Sequence, residues 1–192
     1  FDGDFGTLLF ENQGDFVAPM QAIGFPFPVG VPAVTYTHIH VSDHGLAFLS
    51  NNNVPVPPAT NSAILYTPST ANFNGNSPKV CCLYSDTVAS GGGQVWFRSS
   101  ASACTITWRN MQSYGVATPR FSMQMTLYPN GDVRCVYGPN VTNNSTFGGV
   151  SDNGIVGIAP VLGGAMLPTP VDLSVSGVTT DQTVFENWTV AN

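Results

Sequence analysis

Apolar and polar residues alternate strictly in short stretches along this chain, and that period predicts strands. In Cys104-Thr105-Ile106-Thr107-Trp108 the odd-even register puts Cys104, Ile106 and Trp108 on one face. Phe121, Met123, Met125 and Leu127 alternate with Ser122, Gln124 and Thr126, and Val133, Cys135 and Tyr137 repeat the pattern. Asn130-Gly131 lies between these two runs, where a positive φ is tolerated, so the pair predicts an antiparallel hairpin. Residues 35–50 predict two more strands around the turn Ser42-Asp43-His44-Gly45. Gln94-Val95-Trp96-Phe97-Arg98 predicts another, behind Gly91–Gly93, and Ile155-Val156-Gly157-Ile158 a further one behind Asn153-Gly154. Val171, Leu173 and Val175 alternate with polar neighbours, and residues 184–190 read as a last strand.

Helical periodicity is nearly absent. Twenty glycines and fifteen prolines interrupt the chain too often for a helix of about ten residues. Many short strands at close spacing predict an all-β fold, an antiparallel β-sandwich forming one domain over residues 1–192. Two polar stretches, residues 51–78 and 139–149, predict long Pro/Asn/Gly-rich loops, where a rigid β scaffold often carries recognition.

Composition sharpens this picture. Charged residues make up 8% of the chain, against about 25% in ordinary soluble proteins. The cations are Lys79, Arg98, Arg109, Arg120 and Arg134, with a net charge of −6. Five scattered cations cannot form the basic stripe that phosphate contacts require, so nucleic acid is excluded as a partner. No run of about 18 apolar residues is present, which excludes insertion by a membrane-spanning helix. So little like-charge repulsion favours self-association, or contact with other extracellular proteins or glycans.

The four cysteines, Cys81, Cys82, Cys104 and Cys135, predict two disulfides and an extracellular or cell-surface setting. No C-x-x-C pair supports zinc. On a strand, Cys81 and Cys82 point to opposite faces and need different partners. Cys104 and Cys135 both point inward and are one candidate pair, with Cys81 or Cys82 as competitors.

Other chemistry is sparse. His38, His40 and His44 are candidate metal ligands, since residues two apart on a strand share a face. The run resembles the H-x-H-x-D-H zinc motif with one residue too many, and no further histidine completes such a site. No cofactor is expected, apart from calcium as a candidate at the acidic N-terminal stretch with Asp2, Asp4, Glu11 and Asp15. Ser151-Asp152-Asn153 lacks the companion motifs of penicillin-binding enzymes. No coherent acid, base and nucleophile set emerges, so no enzyme is expected. Sequons at Asn140, Asn143, Asn144 and Asn187 are candidate glycosylation sites. Phe5, Leu8, Phe10, Phe185 and Trp188 lie in terminal segments that pair within the chain or add to a neighbour's sheet edge.

The order of these pieces resembles the nidogen-type extracellular (NIDO) domain. Gly24-Phe25-Pro26-Phe27 matches its opening, and Tyr36-Thr37 with Val41-Ser42-Asp43-His44-Gly45 its next strand and turn. Val80 to Asp86 occupies the family's acidic segment, with Cys81-Cys82 as a departure, and Ile106-Thr107-Trp108 its V-x-W strand. The closest stretch runs from Phe121 through Asn130-Gly131-Asp132-Val133 to Tyr137, and Ile155 to Ile158 completes the pattern, which covers about residues 20–160. The resemblance implies a β-rich module of matrix, adhesion or surface proteins, with no catalytic residues to carry over. The expected function is a noncatalytic extracellular structural or adhesive module, with self-assembly into a surface structure or filament. The alternative is a carbohydrate-binding module using Trp96, Trp108 or Tyr114 as aromatic platforms.

Overall fold

The computed structural model describes residues 1–30, 33–52, 54–75, 77–138, 140–141, 154–159 and 171–172. Its strands are β1 (Thr7–Glu11), β2 (Gln21–Val29), β3 (Val34–Val41), β4 (Leu46–Ser50), β5 (Lys79–Tyr84) and β6 (Thr87–Val88). The second half contributes β7 (Gln94–Ser99), β8 (Cys104–Ser113), β9 (Val116–Leu127), β10 (Val133–Tyr137), β11 (Ile155–Ala159) and β12 (Val171–Asp172). One antiparallel sheet has the order β1-β7-β8-β9-β10, with β6 also on β8; the other runs β12-β11-β5-β4-β3-β2. The two pack as a sandwich, as the alternation predicts.

The predicted hairpin has the expected register, with Met125 opposite Cys135 and Leu127 opposite Val133. Gly131 takes a positive φ of 90°, so the glycine supplies the turn conformation. Phe121, Met123, Met125, Leu127, Val133, Cys135 and Tyr137 all enter the core between the sheets, together with Cys104, Ile106 and Trp108. Each large apolar side chain buried there contributes about 1.5–3 kcal/mol.

Residues 51–78 differ from the expectation of an open loop. They contain α1 (Ala63–Tyr66) and α2 (Thr70–Asn74), which send Leu65 and Phe73 against Leu46, Phe48, Cys81 and Tyr84 on the outer face of the second sheet. This third layer explains why β4 and β5 are buried at every position and show no clean alternation. Both helices are one turn long and leave no 3.6-residue period to read. Ser69 caps α2 by accepting from the Asn72 amide at 3.1 Å. Lys79 is buried beneath its C-terminal end, with Nζ donating to the carbonyls of Asn72, Phe73 and Gly75. Burial lowers the lysine's pKa from 10.5 to about 8.

The N-terminal strand pairs within the chain, β1 on β7, at one sheet edge. Phe10 is buried against Phe16, and Phe5 packs on Trp96, so Leu8 is the exposed apolar residue of the three. Phe185 and Trp188 lie outside the described residues. Edge strand β2 carries Pro26 and Pro28, and β1 has a bulge between Leu8 and Phe10. Both features discourage open-ended strand addition.

The four cysteines are buried free thiols, where the sequence led to an expectation of two disulfides. The register excludes the Cys104–Cys135 pair. Cys104 faces Leu127 and Cys135 faces Met125 on opposite sides of β9, which places the two cysteines two strand spacings and two residues of register apart, more than about 10 Å. A disulfide needs Cα atoms within about 7 Å. Cys81 and Cys82 do point to opposite faces, Cys81 under the helices and Cys82 into the inter-sheet core. The Cys82 thiol donates to the Gln124 carbonyl at 3.7 Å and neighbours Cys135 in the core between the sheets.

Candidate functional site

At one end of the sandwich, three connections converge on a buried histidine. The β3–β4 turn supplies Ser42, Asp43 and His44, held by the Ser42 amide donating to the Leu46 carbonyl at 2.9 Å. Gly45 closes that turn at φ 73°, pressed so closely on the Leu83 backbone that no Cβ fits. The link from β1 to β2 brings Asp15, and its next residues run along the turn: Ala18 donates to Val41 O at 2.8 Å and Phe16 to Asp43 Oδ1 at 3.0 Å. The turn from β5 to β6 brings Ser85, Asp86 and Thr87, with Thr87 Oγ1 donating to Asp43 O at 2.6 Å.

His44 Nε2 lies 3.1 Å from Asp15 Oδ1 and 3.5 Å from Asp43 Oδ1, and its Nδ1 is 3.9 Å from Asp86 Oδ1. The Thr87 amide donates to Nδ1 at 3.2 Å, so in the neutral ring the proton sits on Nε2 and is donated to Asp15. The Ser85 carbonyl is also 3.2 Å from Nδ1. The histidine and Asp43 are fully buried, whereas the side chains of Asp15 and Asp86 keep 35% and 30% of their exposure, so the cluster opens to solvent on their side.

Burial sets the protonation states. It pushes His44 down to about 4, against the opposing pull of the Asp15 carboxylate. It lifts Asp43 to about 8 despite the bond from the Phe16 amide. Asp86 rises to about 6, through burial first and then the neighbouring charge of Asp15. A neutral imidazole beside a protonated Asp43 is therefore the form at neutral pH. Ser42, the hydroxyl nearest in sequence, turns its Oγ to Asp43 and to the His44 amide rather than to the imidazole.

Sequence reasoning singled out Asp15 and His44 for separate reasons, and the structure brings them together. His38 and His40 stay apart from this cluster: His38 Nδ1 meets Thr37 Oγ1 at 2.9 Å, and His40 Nδ1 meets Ala18 O at 3.3 Å. The acidic N-terminal residues also separate. Asp2 and Asp4 clasp Arg98, and Glu11 accepts from Gln94 Nε2 at 3.1 Å. Asp43 and Asp86 were not singled out as ligands; Asp43 lies in the β3–β4 hairpin turn and Asp86 where the chain crosses from one sheet to the other, between β5 and β6. Trp108, a candidate sugar platform, is instead fully buried with Nε1 donating to Ser42 O at 2.8 Å, which removes it from any glycan surface. Trp96 is half-buried and Tyr114 is 71% exposed. Asn140 is exposed, with Nδ2 donating to Arg120 O at 2.9 Å; Asn143, Asn144 and Asn187 lie outside the described residues.

Two antiparallel sheets packed face to face define the class, a β-sandwich module. The family described as "NIDO related" matches residues 5–190, and the chain belongs to it. No curated protein and no solved structure matches the chain.

Proposed function

We propose that this chain is a noncatalytic structural or adhesive module, located outside the cell or at its surface, that associates with its own copies. The observation that carries this reading is an apolar ridge on the loop after β4. Val54 and Val56 are 68% and 69% exposed, and Val56 lines a groove of about 350 Å³ with Pro55, Pro57, Pro58, Ile64 and the two serines Ser62 and Ser77. Exposed apolar side chains set among prolines present a stiff surface that loses little entropy on docking.

Charge supports a second copy as the occupant. Lys79 is spent on helix carbonyls, Arg98 on Asp2 and Asp4, and Arg120 on Ser90 O, Asn110 O and Gln112 Oε1. Arg109 lies 5.6 Å from the Phe5 ring centroid. Arg134 stays exposed, but the groove itself is lined by uncharged residues alone, so an identical surface meets no like charge there. The prolines in β2 and the bulge in β1 favour the ridge over strand addition as the contact.

Sedimentation velocity over a wide concentration range tests the proposal. The sedimentation coefficient rises with concentration for the wild type, and the Val54→Asp/Val56→Asp variant abolishes the rise. A wild-type monomer at every concentration would remove the reading.

A further inference from the structure

We propose that Asp15, His44 and Asp86, with Asp43 buried behind the imidazole, form a binding site for a divalent cation of the zinc or manganese type. Ligand atoms of Asp15, His44 and Asp86 all lie within 4.8 Å of one another. A cation held at about 2.0–2.4 Å from each donor accommodates separations up to about twice that length. Asp15 lies nearest Nε2, at 3.1 Å, and Asp86 nearest Nδ1, at 3.9 Å, so completing the shell on Nε2 requires the partly exposed Asp86 side chain to rotate toward Asp15.

A second observation, on a residue outside that trio, points to the same ligand. Asp43 is fully buried, its Oδ1 is 3.5 Å from His44 Nε2, and its Oδ2 has no hydrogen-bond partner. A buried carboxyl oxygen left without a partner costs about 1–3 kcal/mol, so native proteins supply one, and ions are among the groups that do. Among the described residues no lysine or arginine forms an ion pair with Asp15, Asp43 or Asp86. The carboxylates of Asp15 and Asp86 thus lack a lysine or arginine counterion among the described residues, and a cation bound there would also displace the proton from Asp43.

The histidine is already oriented for ligation. With a cation on Nε2 its proton moves to Nδ1, where the Ser85 carbonyl at 3.2 Å accepts it. The Thr87 amide keeps its own bond to that carbonyl at 2.8 Å, so neither backbone group is orphaned. A ligating imidazole that donates its second nitrogen to a main-chain oxygen is the usual outer-shell support of a metal-bound histidine. One imidazole nitrogen among carboxylates suits zinc or manganese; calcium takes oxygen ligands alone. Asp15 and Asp86, each about one-third exposed, line the entry.

Calorimetry and thermal denaturation of the chelator-treated full chain with Zn²⁺, Mn²⁺, Ca²⁺ and Mg²⁺, one at a time, test the site. The expected result is one-to-one binding of Zn²⁺ or Mn²⁺ with a Tm raised by several degrees. Asp86→Asn and Asp15→Asn each weaken binding about tenfold or more with an unchanged apo circular dichroism spectrum. His38→Ala, away from the cluster, leaves binding intact. Co²⁺ added to the wild-type and His38→Ala proteins gives the same visible absorption band, a readout that does not depend on the carboxylate variants folding. Absence of one-to-one binding, a preference for Ca²⁺, equal affinity in folded Asp86→Asn and Asp15→Asn, or loss of binding in His38→Ala overturns the proposal.

Discussion

The indole nitrogen of Trp108 donates to the main-chain carbonyl of Ser42 at 2.8 Å, linking the centre of one sheet to the turn that carries Asp43 and His44 on the other. Both partners are fully buried, so the inter-sheet core and the acidic cluster are one mechanical unit. Trp108→Phe keeps most of the apolar volume and leaves the Ser42 carbonyl without that donor. The expected loss is about 1–3 kcal/mol, seen as a Tm lower by several degrees. Thermal denaturation followed by circular dichroism measures it, and an unchanged Tm would show that the bond contributes nothing net.

Gly45 is the tightest point of the same turn. At φ 73° a side chain is strained, and a Cβ there runs into the Leu83 carbonyl oxygen. Gly45→Ala is expected to destabilise the fold by at least about 2 kcal/mol, because the obstacle is backbone and cannot rotate away. Gly115, also at positive φ, has no atom within 4 Å of its added Cβ, so Gly115→Ala pays the conformational strain alone and loses less. Equal losses in urea denaturation of the two variants would contradict this packing account.

Oxidation has one route that the sheet registers permit. Cys82 and Cys135 meet across the core, Cys81 lies on the outer face under the helices, and Cys104 is separated from Cys135 by β9. Burial raises the thiols of Cys81 and Cys82 well above the ordinary range and Cys104 to about 12, so oxidation of the folded protein is slow. Mild oxidation followed by non-reducing peptide mapping is expected to yield the Cys82–Cys135 link. Recovery of a Cys104–Cys135 link from native material would refute the observed strand order.

Lys79 gives stability a pH dependence of known sign. Its native pKa, about 8, lies below the ordinary 10.5. Between those values the unfolded chain still binds the proton and the native protein has released it, so raising the pH favours the native state. Below about pH 8 the buried ammonium carries its full penalty, about 3 kcal/mol across the window. Lys79→Met removes this dependence. The stability of the variant relative to the wild type is therefore expected to be most favourable near neutral pH and to fall between pH 8 and 10.5. Comparing both proteins at each pH cancels the titration of the thiols and Tyr84; a difference independent of pH would rule out a depressed lysine.

Much of the first sheet was legible because β8 and β9 keep apolar side chains on the core face and polar ones on the other, where Thr105, Thr107 and Gln124 are buried as well. Alternation in β8 and β9 is the imprint of that division between an apolar core face and a polar second face, and the NIDO-like order of motifs agrees with the family to which the chain belongs. The second sheet was harder to read. β5 is buried on both faces, so Lys79-Val80-Cys81-Cys82-Leu83-Tyr84 has no polar rhythm, and the helices covering it are too short to have a period.

The sequence by itself determined the strand class, the hairpin register around Asn130-Gly131, the core face of Cys104, Ile106 and Trp108, and the low charge of the surface. Tertiary structure alone decided which cysteines face one another, that the 51–78 segment is a covering layer, and that Asp15 and Asp86 meet His44 across 29 and 42 positions of chain. The physical reason is range. Alternation and turn chemistry act between residues a few positions apart, whereas a site assembled from three turns exists only once the strands between them have paired.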